Sequence, residues 1–190
     1  MASEWRSAVV DQLEWYWTGM FRPRLEGLGD EEYLWEPVDG CWTLRRDGGG
    51  RAVLDWEFPE PDPPPFTTIA WRLCHMAKTM AQRASFHFGD ASVGDESIAL
   101  PLAAEAGISL LERSYAGWCS GVEEWQRTVD EEERNGGRSS SDDLAGVLVH
   151  MNREVIHHAA EVALLRDLYR AARRSSTGGQ GLGTVSGAPK

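Results

Sequence analysis

Residues 150–169, HMNREVIHHAAEVALLRDLY, read as one helix that carries polar and apolar side chains on the same side. Positions four apart share a helix face, so His150, Glu154 and His158 form a stripe, with Val147 before it and Glu161 three residues beyond it. The apolar residues Val147, Met151, Val155, Val162 and Leu165 flank this stripe instead of lying opposite it. The polar groups therefore belong inside a helical core or at its mouth. A glutamate without a partner in such a place costs several kcal/mol of desolvation, and it takes up either a proton or a cation. The stretch is thus either one wall of a metal site or a packed, hydrated helix, with Arg153, Arg166, Asp167 and Arg170 as a solvated charged face.

Three further helices are expected to surround it. Residues 3–26 place Val10, Leu13, Trp17, Met20 and Phe21 at helical spacing behind a Ser3 cap. A threonine cap after Pro65 opens a second helix to about Phe88, with Ile69, Leu73, Met76 and Met80 on one face. Pro101 suits the first turn of a third helix that ends near Glu133. After the turn RNGGRSSS, Asp142 caps a fourth, from about residue 143 to 174. Between Glu36 and Pro65, glycines and prolines predict an extended loop, a length that suggests a lid or lining, with Trp42, Trp56 and Phe58 available to pack over the helices. The expected fold is all-α: an antiparallel four-helix bundle with a long loop between helices one and two, one domain over residues 1–174, and a disordered tail at 175–190.

Composition narrows the function. With 42% hydrophobic residues, 190 residues can bury one good core. A net charge of −11 repels a nucleic-acid backbone, so no nucleic-acid partner is expected. No apolar run reaches the roughly 18 residues of a membrane span, and MASEWRSAVV lacks a signal-peptide pattern, which predicts a cytoplasmic protein away from membranes. Cys41, Cys74 and Cys119 are widely separated and form no CxxC, as expected of reduced thiols. The chain has 17 Arg against 2 Lys, a bias that suggests a GC-rich bacterial genome and carries no chemistry of its own.

Imidazole and carboxylate one helical turn apart suit Zn²⁺ or a similar ion, with a third ligand from another helix. His75, in the apolar stripe of the second helix, is the candidate; His87, twelve residues on, is too far along to share the ion. A lone histidine in that position also serves as an ordinary core residue.

Three stretches, LEGLGDEEYLWEPVDGCW, PPPFTTIAWRLCHM and HMNREVIHHAAEVALLRDLY, resemble the DinB-like four-helix-bundle family of metal-dependent proteins, over roughly residues 5–172. That family places one histidine in helix two and an H-x-x-x-H pair in helix four, followed by glutamine. The resemblance puts His75 and His158 at two ligand positions, and Glu161 where the glutamine stands. At position 154 the sequence has glutamate in place of the usual histidine, which resembles the mycothiol-dependent maleylpyruvate isomerase branch, whose zinc site uses two histidines and a glutamate. The resemblance therefore implies His75, Glu154 and His158 as metal ligands and leaves His150 and His157 out.

It also implies an activity. Three protein ligands leave zinc an open position, which relatives fill with the sulfur of a low-molecular-weight thiol such as mycothiol. The expectation is a thiol S-transferase or thiol-dependent isomerase acting on an electrophilic substrate, with Zn²⁺, or else Ni²⁺ or Fe²⁺, as cofactor. Arg72, one turn before His75, is a candidate thiol contact, Glu161 a candidate acceptor for the other ring nitrogen of His158, and Trp42 and Trp56 candidate shields at the mouth. The alternative is a non-catalytic metal-binding protein of stress response or scaffold type. Apolar residues of helices one and three could serve a homodimer.

Overall fold

A computed structural model describes residues 2–94, 96–135 and 142–178. These residues are mostly helical, with one small two-stranded sheet. The side chains of Ser3 and Asp142, most of the expected turn after Arg134, and the tail from residue 179 lie outside them.

Helix α1 spans Ala2–Tyr16 and continues as a π-helical turn, Trp17–Phe21, and a 3₁₀ turn, Arg22–Leu25. A single α-helix to residue 26 was expected; Pro23 prevents it, because it offers no N–H and its ring crowds the preceding turn. The Arg22 N–H instead reaches back five residues to the Trp17 carbonyl. The wider turn has a packing result. Leu13, Trp17, Phe21 and Leu25 recur every four residues and are all buried, whereas an unbroken α-helix would rotate the last of them away from the core.

A short helix precedes the expected loop, and a hairpin interrupts it. The short helix α2, Asp30–Tyr33, buries Tyr33, whose hydroxyl donates to the Pro101 carbonyl at 3.0 Å. Strands β1 (Leu44–Arg46) and β2 (Ala52–Leu54) pair antiparallel with Arg45 opposite Val53. The all-α expectation is corrected to this extent. Asp47 closes the hairpin, its carboxylate accepting the Gly49 and Arg51 N–H groups at 2.9 Å, while Gly50 takes φ +82°. A parallel bridge between Trp42 and Thr67 ties the hairpin to the start of the next helix.

That helix, α3, runs Ile69–Phe88, with the Thr68 hydroxyl accepting the Trp71 N–H as its cap. Its stripe of Ile69, Leu73, Met76 and Met80 is buried as its spacing predicts. Helix α4 (Ala104–Arg134) starts three residues beyond Pro101, and its cap comes from a distant segment: Asp30 Oδ1 accepts the Ala104 N–H at 2.7 Å. Helix α5 spans Asp142–Gly178, so the first residues of the expected disordered tail are helical.

The long helices are not all antiparallel. Tyr33 touches both Cys74 and the Gly107 position, and Phe88 packs on the Gly121 position, so α3 and α4 run side by side in the same direction. Asn152 bonds the Val9 carbonyl at 2.7 Å and the Tyr16 hydroxyl bonds that of Ile156 at 3.3 Å, so α1 and α5 are also parallel. The α1/α4 and α3/α5 pairs are antiparallel, shown by Arg6 with Asp130 and Tyr115 with Glu14, and by Arg72 with Glu161 and His75 with Glu154. Connection 89–103 makes this possible: extended, it reaches about 50 Å, more than the roughly 30 Å of α3 that it must retrace.

Arg166 corrects a second expectation. Placed by spacing on a solvated face, it is 1% exposed and forms a bidentate pair with Glu32 at 2.7 and 3.0 Å, while Nη1 donates to the carbonyls of Arg24 and Glu26. This clamp fixes α5 against α2 and the segment before it.

Candidate metal centre

The antiparallel packing of α3 on α5 brings His75 opposite Glu154 and His158. One ligand atom from each of the three lies within 4.8 Å of the others. Glu154 Oε2 is the common neighbour, 3.2 Å from His158 Nε2 and 3.7 Å from His75 Nε2. The flanking residues Met151, Val155 and Val162 are buried, which sets the stripe at the rim of the core with Glu154 partly and His158 almost wholly covered.

The protonation of His158 follows from its other side. Nδ1 lies 2.8 Å from Glu161 Oε2 and 3.1 Å from Arg72 Nη1. A single ring nitrogen cannot donate to the first and accept from the second. The carboxylate contact is shorter and joins a donor to an anion, so Nδ1 carries a proton, and Nε2 is the ring nitrogen that faces Glu154 and His75. Glu161 thus holds the position expected of an acceptor behind a metal-binding histidine. Burial pushes the Glu161 carboxyl up, but the His158 hydrogen bond and the Arg72 charge outweigh it and hold it below the usual range.

His75 is neutral. Burial first, and then the neighbouring His158, push its pKa down to about 4, against the pull of Glu154. Its ring stacks on Trp71 at 4.8 Å, and Trp56 lies parallel to Trp71 at 6.2 Å and within 6.3 Å of His75. Trp71 is fixed by its indole N–H, which donates to the Asp55 carbonyl at 2.8 Å. The row continues to Trp42, 5.8 Å from both indoles. Trp42 and Trp56 therefore stand over the His75 side, Trp56 with 62% of its surface exposed; Phe58 is exposed and takes no part.

Two imidazole nitrogens and one carboxylate, from two helices, fit a divalent ion by donor type. A second grouping, His157, His158 and Glu161, is equally compact but fits a cation poorly, because the Arg72 guanidinium already stands against both His158 Nδ1 and Glu161. Arg72 Nε is 3.0 Å from Glu161 Oε2 yet off the line of its N–H, so this is a charge contact and not a hydrogen bond. His157 is largely exposed. His150 approaches the far oxygen of Glu154 at 3.8 Å, but its Nδ1 is met by Arg153 at 2.6 Å.

Cavities open on either side. One of 480 Å³ is bounded by His75 and Trp56 together with the hairpin and the outer face of α3; another, of 720 Å³, is an apolar groove floored by Arg72 and Glu161. Arg51 and Lys78 in the first cavity were not foreseen; Lys78 could have been, since it falls one turn after His75 on the same face.

Among the described residues, no helix is long and apolar enough to cross a membrane. Comparison with curated proteins and with solved structures returns no match. The sequence model of the DinB superfamily matches residues 12–162, which include α3 and the whole His75, Glu154 and His158 grouping; the chain belongs to the DinB superfamily.

Proposed function

We propose that this protein is a divalent-metal-dependent enzyme on a four-helix-bundle scaffold that uses a low-molecular-weight thiol of mycothiol type as an S-transferase or thiol-dependent isomerase, with His75, Glu154 and His158 as zinc ligands. The observation that supports this most directly is the convergence of these three donors beside a cavity large enough for a small molecule. A bound divalent ion with three protein ligands supplies an open position and favours the thiolate form of a thiol near neutral pH.

The chain's own residues supply the rest. Glu161 keeps the proton on His158 Nδ1 and so orients the ring. Burial against Trp71 keeps His75 uncharged. Arg72, between Glu161 and the apolar groove, would meet the polar part of the thiol. Trp71 stacks on the His75 ring, and Trp56 lines the cavity beside it. The same donors suit Ni²⁺ or Fe²⁺, and a cytoplasmic setting would keep the thiol reduced.

The test is elemental analysis of protein purified without chelator or immobilised nickel, followed by thiol addition to the cobalt-substituted form. About one equivalent of metal per chain and a thiol-dependent change in the cobalt spectrum are expected. Metal-free protein that takes up no added zinc would overturn the proposal. Cobalt binding without a spectral response to thiol would leave a metal-binding protein that lacks thiol chemistry.

A further inference from the structure

We infer that the β-hairpin is a positioning element for His75, acting through the Asp55 carbonyl and the Trp71 indole. This rests on the metal-dependent function proposed above, since it states how one of the proposed ligands is held.

The two histidines are oriented by different means. His158 has a carboxylate behind it, whereas His75 is gripped by ring faces. Trp71 stands four residues before His75 on the same side of α3, and the two rings lie 4.8 Å apart and 12° from parallel. Trp56 lies 12° from the His75 plane at 6.3 Å and 3° from the Trp71 plane at 6.2 Å. Such a stack fixes the plane of the imidazole, and the approach of Nε2 to Glu154 then selects which edge faces the other donors. His158 meets this ring edge-on, at 4.9 Å and 87°.

The stack can set the imidazole only if Trp71 is itself fixed. Its indole is 3% exposed, and its N–H donates to the Asp55 carbonyl at 2.8 Å, so turning the ring would bury an unpaired donor. Asp55, the first residue after β2, is held by the opposite strand and the residue before it. Its N–H donates to the Thr43 carbonyl at 3.0 Å, and its carboxylate accepts the Thr43 N–H at 3.0 Å and the Arg45 Nε–H at 2.9 Å. The Thr43 hydroxyl lies 2.9 Å from that of Thr68, the residue that caps α3. A closed circuit thus runs from the start of α3 through the hairpin and back to Trp71. Asp55 lies on neither donor-bearing helix, yet it acts on a donor through that circuit.

The experiment compares Trp71→Leu, Trp71→Phe, Asp55→Ala and Asp55→Asn in the full chain, with thermal melts to confirm folding. Two quantities are read: the NMR shifts of the His75 ring protons in metal-free protein, and zinc affinity by chelator competition. An imidazole stacked on an indole has ring protons displaced upfield. Trp71→Leu should remove that displacement and weaken zinc binding about tenfold, and Trp71→Phe, which restores a ring face, should recover most of the affinity. Asp55→Ala should reduce the displacement and weaken zinc binding about threefold, whereas Asp55→Asn, which keeps an acceptor for the Thr43 N–H, should match the wild type in both. Unchanged His75 shifts in a folded Asp55→Ala protein, or an Asp55→Asn variant as impaired as Asp55→Ala, would overturn the inference. Ring shifts that follow the substitutions in a protein that takes up no zinc would sink the metal reading and leave the hairpin's hold on His75 standing. Zinc uptake with ring shifts indifferent to Asp55→Ala would do the reverse.

Discussion

Replacing Glu161 by alanine should weaken zinc binding by about 10–100-fold, or about 1.4–2.8 kcal/mol. Two effects contribute. The His158 ring loses the acceptor 2.8 Å from Nδ1 that fixes both its orientation and its tautomer. Arg72, only 15% exposed and 3.1 Å from the same nitrogen, loses its counter-charge and faces a site that is to receive a cation. The second effect separates from the first in the double variant. Arg72→Met in the Glu161→Ala background removes the uncompensated guanidinium and should recover part of the affinity, so the two substitutions will not add. The assay is competition for zinc against a chromophoric chelator at fixed ionic strength, with thermal melts of the metal-free proteins to confirm folding. Wild-type affinity in a well-folded Glu161→Ala protein would refute the tautomer argument. A double variant weaker than Glu161→Ala would refute the electrostatic part.

Glu154→Ala should abolish zinc binding while His157→Ala, at an exposed position, keeps it; full occupancy in both would show that α5 presents other donors to the metal. Arg166→Met leaves Glu32 buried without its partner and should cost about 3–5 kcal/mol. For a chain of this size the melting temperature should then fall by roughly 6–20 °C, with most of the loss recovered by adding Glu32→Leu; an unchanged melt would contradict the clamp. Burial pushes the Cys74 and Cys119 thiols up to about 11, so alkylation of the folded protein at pH 8 should be far slower than that of the unfolded chain. Because unfolded thiols ionise near pH 8.5, their contribution is fully present below that pH and is lost as pH rises towards about 11. A denaturation midpoint that holds steady from pH 8 to 10.5 would count against it.

What could be read from the sequence was what depends on near neighbours. The α3 stripe of Ile69, Leu73, Met76 and Met80 and the pairing of Glu154 with His158 one turn on are both local, and both reappear in the structure. Features set by distant partners were not legible. Nothing around Arg166 announces Glu32, and Asp30 caps α4 from far upstream, so no spacing rule reaches either. Strands of three residues are too short to alternate visibly, although Asp47 followed by three glycines between RR and RAVL marks the turn in hindsight. The direction of α4 is not set by any spacing within the helices: it depends on the length of residues 89–103, which suffices to retrace α3. His75 came from its place in an apolar stripe and from the family resemblance, whereas the indoles that stack beside it come together only in three dimensions.

The Arg166 clamp has an evolutionary consequence. Arg166 lies two turns beyond His158 on the same helix and is gripped by Glu32 and two main-chain carbonyls; on the other side of the donors, Asn152 is held by Val9. With anchors on both sides, the axial position of Glu154 and His158 is set from within α5 and does not depend on how the chain arrives from α4. Insertions and deletions around residues 136–141 should therefore pass selection without shifting the donors, whereas a single residue gained or lost between Asn152 and Arg166 would rotate one anchor by about 100° relative to the other.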